Sequence, residues 1–260
     1  MSNRLTGKVV VITGASSGIG ALMAEGVARE GGIPVLMARS TDKLEQVASR
    51  MNGEFGIHRL DVTSTEQVYT VMEAVLAKYG KIDVLVNNAG YGVFETLEKA
   101  DLGTIEDMMD VNYMGTVRCT KAVLPAMLKA GSGHIVNIAS MAGKIGSAKS
   151  SGYSATKHAV LGFTNCIRQE LLRSGIAVTA VNPGPIDTPF FDRADPSGQY
   201  ASSVKWFMLR PERVSEAVIT AIVKRKAEID LPLMAAAGIR LYQLLPRVFD
   251  RVAHKMLNKK

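Results

Sequence analysis

Short apolar runs alternate with longer amphipathic segments along the chain. The short runs are rich in valine and isoleucine and show no polar alternation, which is typical of strands buried on both faces of a sheet. The predicted strands are Lys8–Thr13, Pro34–Ala38, Phe55–Leu60, Ile82–Val86, His134–Ile138 and Ala177–Val181. The segments between them have helical length and period. The predicted helices are Gly18–Gly31, Thr41–Met51, Ser64–Tyr79, Leu102–Ala130 and Ser154–Ser174.

This alternation of strand and helix predicts an α/β fold with one doubly wound parallel sheet and helices on both faces. The length of 260 residues fits a single domain. Ligands bind such sheets outside the carboxyl ends of the strands, where strand order reverses. Residues that directly follow the predicted strands are therefore the candidate site residues.

The first predicted strand leads into a glycine-rich turn, Thr13 to Gly20, and then into a helix. Its spacing is G-x-x-x-G-x-G, which differs from the general dinucleotide fingerprint G-x-G-x-x-G. Glycines let backbone amides approach a pyrophosphate, and the helix N-terminus stabilises the negative charge. A purely structural turn is the alternative interpretation of these residues alone.

The second predicted strand is followed by Arg39 and Ser40. NAD-selective sites usually carry an acidic residue here, which accepts hydrogen bonds from the ribose hydroxyls. An arginine can instead hold a 2′-phosphate, a contact of roughly 1.5–3 kcal/mol that favours NADP about ten- to a hundred-fold. The alternative is a solvated Arg39 before a helix that Ser40 or Thr41 caps.

Tyr153 and Lys157 are four residues apart and share one face of a predicted helix. A free tyrosine titrates near pH 10. An ammonium at ~4 Å, in an effective dielectric of ~20, contributes about 4 kcal/mol, or about three pKa units. We therefore expect the pKa of Tyr153 to lie near the operating pH of a general acid or base. A buried structural tyrosine is the alternative for this pair alone.

Together with other motifs in the same order, these residues resemble the short-chain dehydrogenase/reductase family from about Leu5 to Thr188. Each motif is weakly specific, but seven occur in register: Thr13–Gly20, Asp61-Val62, Asn87–Gly90, Asn112, Ser140, Tyr153–Lys157, and Pro183-Gly184 with Thr188. The resemblance implies a single-domain Rossmann-type fold. It also implies hydride transfer between NADP(H) and a carbonyl or secondary alcohol.

The resemblance further assigns roles to individual residues. Tyr153 exchanges a proton with the substrate oxygen, and Ser140, at the end of the fifth strand, orients and polarises that oxygen. Lys157 hydrogen-bonds to the nicotinamide ribose, and Asn112 resembles the residue that holds a water between the lysine and solvent. The implied cofactor contacts are Gly14, Ser16, Ser17, Gly18, Ile19, Gly20, Arg39, Ser40, Asp61, Val62, Asn88, Ala89, Gly90, Tyr153, Lys157, Pro183, Gly184, Ile186 and Thr188.

Segment 188–210 interrupts the strand–helix alternation at the place of the family's substrate lid. Its large apolar residues are Phe190, Phe191, Tyr200, Trp206, Phe207 and Met208. Because no charged residue is obviously directed inward, we expect a lipophilic carbonyl substrate, such as a fatty-acyl, steroid or other apolar ketone. A satellite hydrophobic cluster or a dimer contact is the alternative. We expect the protein to form a homodimer or homotetramer.

The extension 233–260 follows the predicted catalytic domain 1–232 and is strongly basic. Its six cations and one carboxylate supply net +5 of the chain's +7. Its apolar residues follow helical spacing that Pro246 interrupts. They are Leu241, Leu244, Leu245, Val248, Phe249, Val252 and Met256. Such a segment suits an anionic membrane surface, and packing on its own domain or on a second subunit is the alternative.

The charge, the cysteines and the motifs of the chain also bear on other classes of function. The basic extension lacks a recognised docking motif, so we expect no nucleic-acid partner. Cys119 and Cys166 have no metal-ligand spacing, so we expect no metal and a reducing cytoplasm. The main rival is a catalytically idle NADP-binding redox sensor or scaffold, which has no need of the complete proton relay. Extended sugar-nucleotide epimerases share the Tyr-x-x-x-Lys pattern but need a larger substrate domain.

Overall fold

A parallel seven-stranded sheet forms the centre of the computed structural model, which describes residues 3–244 apart from the side chains of residues 236 and 240. The strands are β1 Val9–Thr13, β2 Ile33–Ala38, β3 Gly56–Arg59, β4 Val84–Asn87, β5 Gly133–Ile138, β6 Ile176–Pro183 and β7 Glu228–Leu231. Their order is β3-β2-β1-β4-β5-β6-β7. Strand order therefore reverses between β1 and β4, which places a crevice at their carboxyl ends.

Helices cover both faces of this sheet. They are α1 Gly18–Arg29, α2 Thr41–Ala48, α3 Thr65–Tyr79, α4 Leu102–Met109, α5 Gly115–Ala130, α6 Ser151–Glu170, α7 Phe190–Ala194, α8 Gln199–Val204, α9 Pro211–Lys224 and α10 Leu233–Leu244. Alternate strand side chains point to opposite faces. Val10 and Ile12 pack with α1, α2 and α9, while Val9 and Val11 pack with α3, α5 and α6. The doubly wound α/β prediction is confirmed.

All six predicted strands are present, with ends displaced by at most two residues. The seventh strand, β7, was missed because its sequence Glu-Ile-Asp-Leu is short and half charged. Helix α9 was also not predicted. Pro211 offered a signal for it, because proline is favoured at the first position of a helix.

The single long helix predicted over Leu102–Ala130 is wrong. A π-helical turn, Asp110–Met114, separates α4 from α5. Such a turn contains an extra residue and often accompanies a functional site. Here it contains the buried Asn112, whose polar contacts are described below.

The first part of the C-terminal extension forms α10, which packs on the same domain. Ile239 is buried in a small cluster with Met141. The predicted apolar positions from Leu245 to Met256 lie outside the described residues. Within residues 3–244, no helix has the length and apolar character needed to cross a membrane.

Candidate active site

The glycine turn after β1 is hydrogen-bonded to the loop after β4. Thr13 Oγ accepts hydrogen bonds from the amides of Asn88 and Ala89, both at 3.0 Å. Asn88 Nδ2 donates to the carbonyls of Thr13 at 2.9 Å and Gly14 at 3.1 Å. A Cβ at Gly14 would lie 2.8 Å from Ala89 Cα, and Gly14 has φ +65°. Only glycine fits this approach of the two loops.

The turn ends at the N-terminus of α1, which suits an anion. Ser17 precedes the helix without a side-chain cap, and the first turn contains no acidic residue. The first amides of a helix have no intrahelical partner and carry a partial positive charge. These residues therefore fit the pyrophosphate of a dinucleotide.

One cavity of about 680 Å³ follows the carboxyl edge of the sheet from this turn to α6. Among the predicted site residues, Asn112 alone is absent from its wall. The others line it: Gly14, Ser16, Ser17, Gly18, Ile19, Gly20, Arg39, Ser40, Asp61, Val62, Asn88, Ala89, Gly90, Ser140, Tyr153, Lys157, Pro183, Gly184, Ile186 and Thr188. Residues far apart in sequence thus meet on one surface.

The end of the cavity beside β2 is cationic. Arg39 is exposed there and forms no ion pair within residues 3–244. Lys43, in the first turn of α2, lines the same wall, although sequence reasoning missed it. Burial raises the pKa of Asp61, but hydrogen bonds from Thr63 and the positive charge of Arg39 outweigh it, so the net shift is downward. This end therefore offers two cations to a phosphate.

The opposite end holds Tyr153 and Lys157, both buried in α6. Lys157 Nζ donates to the carbonyl of Ile138 at 2.8 Å and lies 5.8 Å from the centroid of the Tyr153 ring. Burial lowers the pKa of Lys157 to about 8. Burial also raises the pKa of Tyr153 to about 12, although a hydrogen bond with Ser140 opposes that rise.

The expected lowering of the Tyr153 pKa is therefore wrong for this arrangement. The ammonium of Lys157 is engaged with a main-chain carbonyl of β5 rather than with the phenol. Removal of the phenol from water disfavours the phenolate, and this cost exceeds the help from Ser140. At neutral pH Tyr153 is a neutral phenol.

Ser140 directly follows β5 and joins the ends of two strands. Its hydroxyl donates to the carbonyl of Pro183 at 3.3 Å and accepts from the amide of Ala142 at 3.1 Å. It also hydrogen-bonds with Tyr153. The two hydroxyl groups therefore converge at one place on the cavity wall.

Asn112 lies behind the wall and joins the loop after β4 to α6. Its Oδ1 accepts from the amide of Tyr91 at 2.9 Å, while its Nδ2 donates to the Tyr91 carbonyl at 2.8 Å and to Thr156 Oγ at 3.0 Å. A Cβ at Gly90 would lie 2.9 Å from Asn112 Oδ1 and 3.6 Å from Lys157 Nζ. Asn112 thus holds the backbone that borders the lysine, and its role in holding a water stays a prediction.

Aromatic rings cover the end of the cavity that holds Tyr153 and Lys157. Phe94 has ring centroids of four other aromatic residues within 5.1–6.4 Å. They belong to Tyr153, Phe190, Phe191 and Tyr200. Sequence reasoning missed Phe94 because it lies in an irregular loop without periodicity. Of the predicted lid residues, Phe207 also lines the cavity, whereas Trp206 and Met208 do not.

A charged residue does reach the cavity, contrary to the expectation from segment 188–210. Arg193 lines the wall, with its guanidinium 3.4 Å from the centroid of the Tyr91 ring. The Tyr91 hydroxyl donates to the carboxylate of Asp107. Burial and this hydrogen bond raise the pKa of Tyr91 to about 12. Arg193 thus stacks on a tyrosine that α4 holds in place.

The sequence predicts no metal site, because its two cysteines lack metal-ligand spacing. Within residues 3–244, no group of three or more histidine, cysteine or acidic side chains is arranged to hold a metal ion. Cys119 is buried in the core and Cys166 is exposed, and both are free thiols.

Comparison with known proteins gives consistent similarities. A family model described as short chain dehydrogenase matches residues 8–197. An uncharacterized oxidoreductase of Staphylococcus saprophyticus is 40% identical over 222 residues, which cover 84% of this chain and 92% of that protein.

Two solved structures share the fold over most of both chains. A short-chain dehydrogenase from Streptomyces avermitilis has a TM-score of 0.83 and 30% identity, and the match covers 96% of this chain and 97% of the other. An actinorhodin polyketide ketoreductase variant, solved with NADPH, has a TM-score of 0.79 and 32% identity, with 89% of this chain and 97% of the other covered.

Proposed function

The chain belongs to the short-chain dehydrogenase family, and from that premise we propose that it is an NADPH-dependent reductase of apolar carbonyl compounds. The observation that carries this proposal is the arrangement of one cavity. A glycine turn and two cations line one end, and Ser140, Tyr153 and Lys157 line the other.

The proposed reaction uses this chain's residues to hold and protonate the substrate oxygen. When bound, the nicotinamide supplies hydride to the carbonyl carbon. Ser140 and Tyr153 have hydroxyls that meet at the wall, so both can hydrogen-bond to one carbonyl oxygen. Tyr153 then gives its proton to that oxygen as the negative charge develops.

The protonation states favour the direction of reduction. Because burial raises the pKa of Tyr153 to about 12, its phenol carries the proton that reduction consumes. Lys157, with a pKa lowered to about 8, is mainly an ammonium at neutral pH. Its positive charge stabilises the phenolate that remains after proton transfer.

Arg39 and Lys43 support the preference for NADP over NAD. Both lie at the end of the cavity reached from β2, where an acidic residue would select NAD. A 2′-phosphate gains charge-assisted hydrogen bonds from a guanidinium. The actinorhodin ketoreductase, solved with NADPH, has a comparable fold.

The rings of Phe94, Phe190, Phe191 and Tyr200 support an apolar substrate. Aromatic walls gain from the burial of hydrocarbon and leave charged groups without solvation. Arg193 is the exception, and its position over Tyr91 places it beside the loop after β4.

We further assign catalysis to residues 1–232, with 188–210 as the substrate lid and 233–260 as a basic amphipathic C-terminal extension. The expectation of a cytoplasmic homodimer or homotetramer stays a prediction.

The direct test is NADPH oxidation by the full-length protein with a panel of steroid, acyl, quinone and small aldehyde substrates. We expect turnover with apolar ketones and little with charged ones. The rival function, an idle NADP-binding sensor or scaffold, predicts tight NADPH binding without consumption of NADPH in any member of the panel. That second result would contradict the proposal.

A further inference from the structure

Helix α10 has an apolar face that the domain leaves uncovered. One side of the helix packs inward, where Ile239 is buried and Gln243 Nε2 donates to the carbonyl of Lys144 at 3.1 Å. At 3.6 residues per turn, the residues of the other side lie within about 100° of one another. They are Leu233, Met234, Ala237, Leu241 and Leu244, and all are exposed. Met234 is 88% exposed and Leu244 is 76% exposed.

In the sequence, this helix is followed by a strong concentration of positive charge. The sixteen residues after Leu244 contain five cations and one carboxylate, a net charge of +4. Arg240 adds a further cation within α10. The rest of the chain is nearly neutral, so the charge is not a general property of the surface.

The same helix stands beside the candidate active site. Its inward residues Ala235 and Ile239 pack on Met141 and Ile145, and both of these line the cavity. Outside α10, a further exposed apolar residue contacts another part of the cavity wall. Trp206 is 85% exposed, and its ring packs on Phe207, which lines the cavity, at 4.8 Å between centroids.

We propose that the exposed face of α10, together with Trp206, docks the protein on an anionic lipid surface. Leucine, methionine and tryptophan enter the boundary between headgroups and acyl chains, while the adjacent cations meet anionic headgroups. Lys205 and Arg210 flank Trp206 in the sequence and add to this attraction.

A second copy of the chain is a less suitable occupant of this face. The cores of protein interfaces are depleted of charged residues. Here the apolar positions are followed directly by five cations with one carboxylate, so two copies would bring like charges together. An anionic bilayer satisfies the apolar and the charged residues at the same time.

The docking gives the enzyme access to substrates dissolved in the bilayer. This consequence rests on the proposed function, because it requires an apolar carbonyl substrate. The docking itself does not depend on catalysis and can be measured without turnover.

The test is sedimentation of the full-length protein with phosphatidylcholine vesicles, with or without phosphatidylglycerol. We expect binding to the anionic vesicles, weak binding to the neutral ones, and release from the anionic vesicles as salt is raised. Leu241→Ser with Leu244→Ser, and separately Trp206→Ser, should each lower partitioning about ten-fold or more. Leu172→Ser is the matched control, since Leu172 is 73% exposed outside α10, and it should bind as the wild type does.

Three outcomes would overturn the proposal. The wild type could fail to bind anionic vesicles, or the α10 and Trp206 variants could bind as tightly as the wild type. In the third outcome, Leu241→Ser with Leu244→Ser has a lower molar mass than the wild type by light scattering. That result would mean that the exposed face of α10 binds a second copy of the chain. Reduction of a water-soluble ketone without vesicles tests the proposed function separately, and the Leu241→Ser/Leu244→Ser and Leu172→Ser variants should retain it.

Discussion

At the scale of single residues, Tyr153 and Lys157 do not form the interacting pair that the sequence predicts. Tyr153 and Lys157 share a helix face, but each is buried and each has its neutral form favoured. The lysine donates to Ile138 rather than to the tyrosine. The site therefore holds a protonated phenol beside an ammonium that loses its charge near pH 8.

This arrangement predicts the pH dependence of reduction. The Lys157 ammonium, with a pKa lowered to about 8, is present below that pH and lost above it. We expect kcat/KM for ketone reduction to be flat near neutrality and to fall about ten-fold per pH unit well above pH 8. The measurement is a pH profile with NADPH saturation checked at each pH. A profile that stays flat to pH 10 contradicts the role of the Lys157 charge.

Arg39 predicts cofactor choice at the same scale. Arg39→Ala removes the guanidinium at the β2 end of the cavity, so kcat/KM for NADPH should fall about ten- to a hundred-fold while that for NADH changes little. Arg29→Ala is the matched control, because Arg29 is an exposed arginine of α1 outside the cavity wall. An unchanged ratio of NADPH to NADH activity in Arg39→Ala removes the basis for NADP selectivity.

At the scale of elements, the buried strands and the motifs at their ends were predictable because apolar runs and glycine turns are local signals. The edge strand β7 was missed because its alternating charges lack that signal. The π-helical turn depends on long-range contacts of Asn112 with Tyr91 and Thr156, which no local pattern contains. Phe94 was missed for the same reason, since only the folded chain brings Phe190 and Tyr200 to it.

The aromatic rings around Phe94 predict a specific effect of its replacement. Its ring contacts Tyr153, two phenylalanines and Tyr200, and each aromatic pair contributes ~0.5–1.5 kcal/mol beyond its burial. Phe94→Ala should raise KM for an apolar ketone about ten-fold and leave the Kd for NADPH nearly unchanged. Phe163→Ala is the control, because Phe163 packs on Tyr113 outside the cavity wall. Equal KM values for wild type and Phe94→Ala contradict a substrate wall built by this ring.

At the scale of the whole molecule, the parallel sheet explains how distant residues form one site. All seven strands run in one direction, so their carboxyl ends share an edge. The glycine turn after β1, the cations after β2, Ser140 after β5 and Pro183 at the end of β6 therefore line one cavity. In the proposed reaction, Tyr153 is the proton donor of this cavity.

The most direct test of that claim is turnover by Tyr153→Phe, with NADPH binding measured on the same preparation by fluorescence titration. The substitution removes only the hydroxyl and keeps the ring that packs on Phe94 and Phe190. We predict that kcat for carbonyl reduction falls at least about a hundred-fold, as expected for the loss of a general acid. The Kd for NADPH should rise by no more than about ten-fold, since one neutral hydrogen bond contributes only ~0.5–1.5 kcal/mol. A variant that retains wild-type kcat contradicts the mechanism.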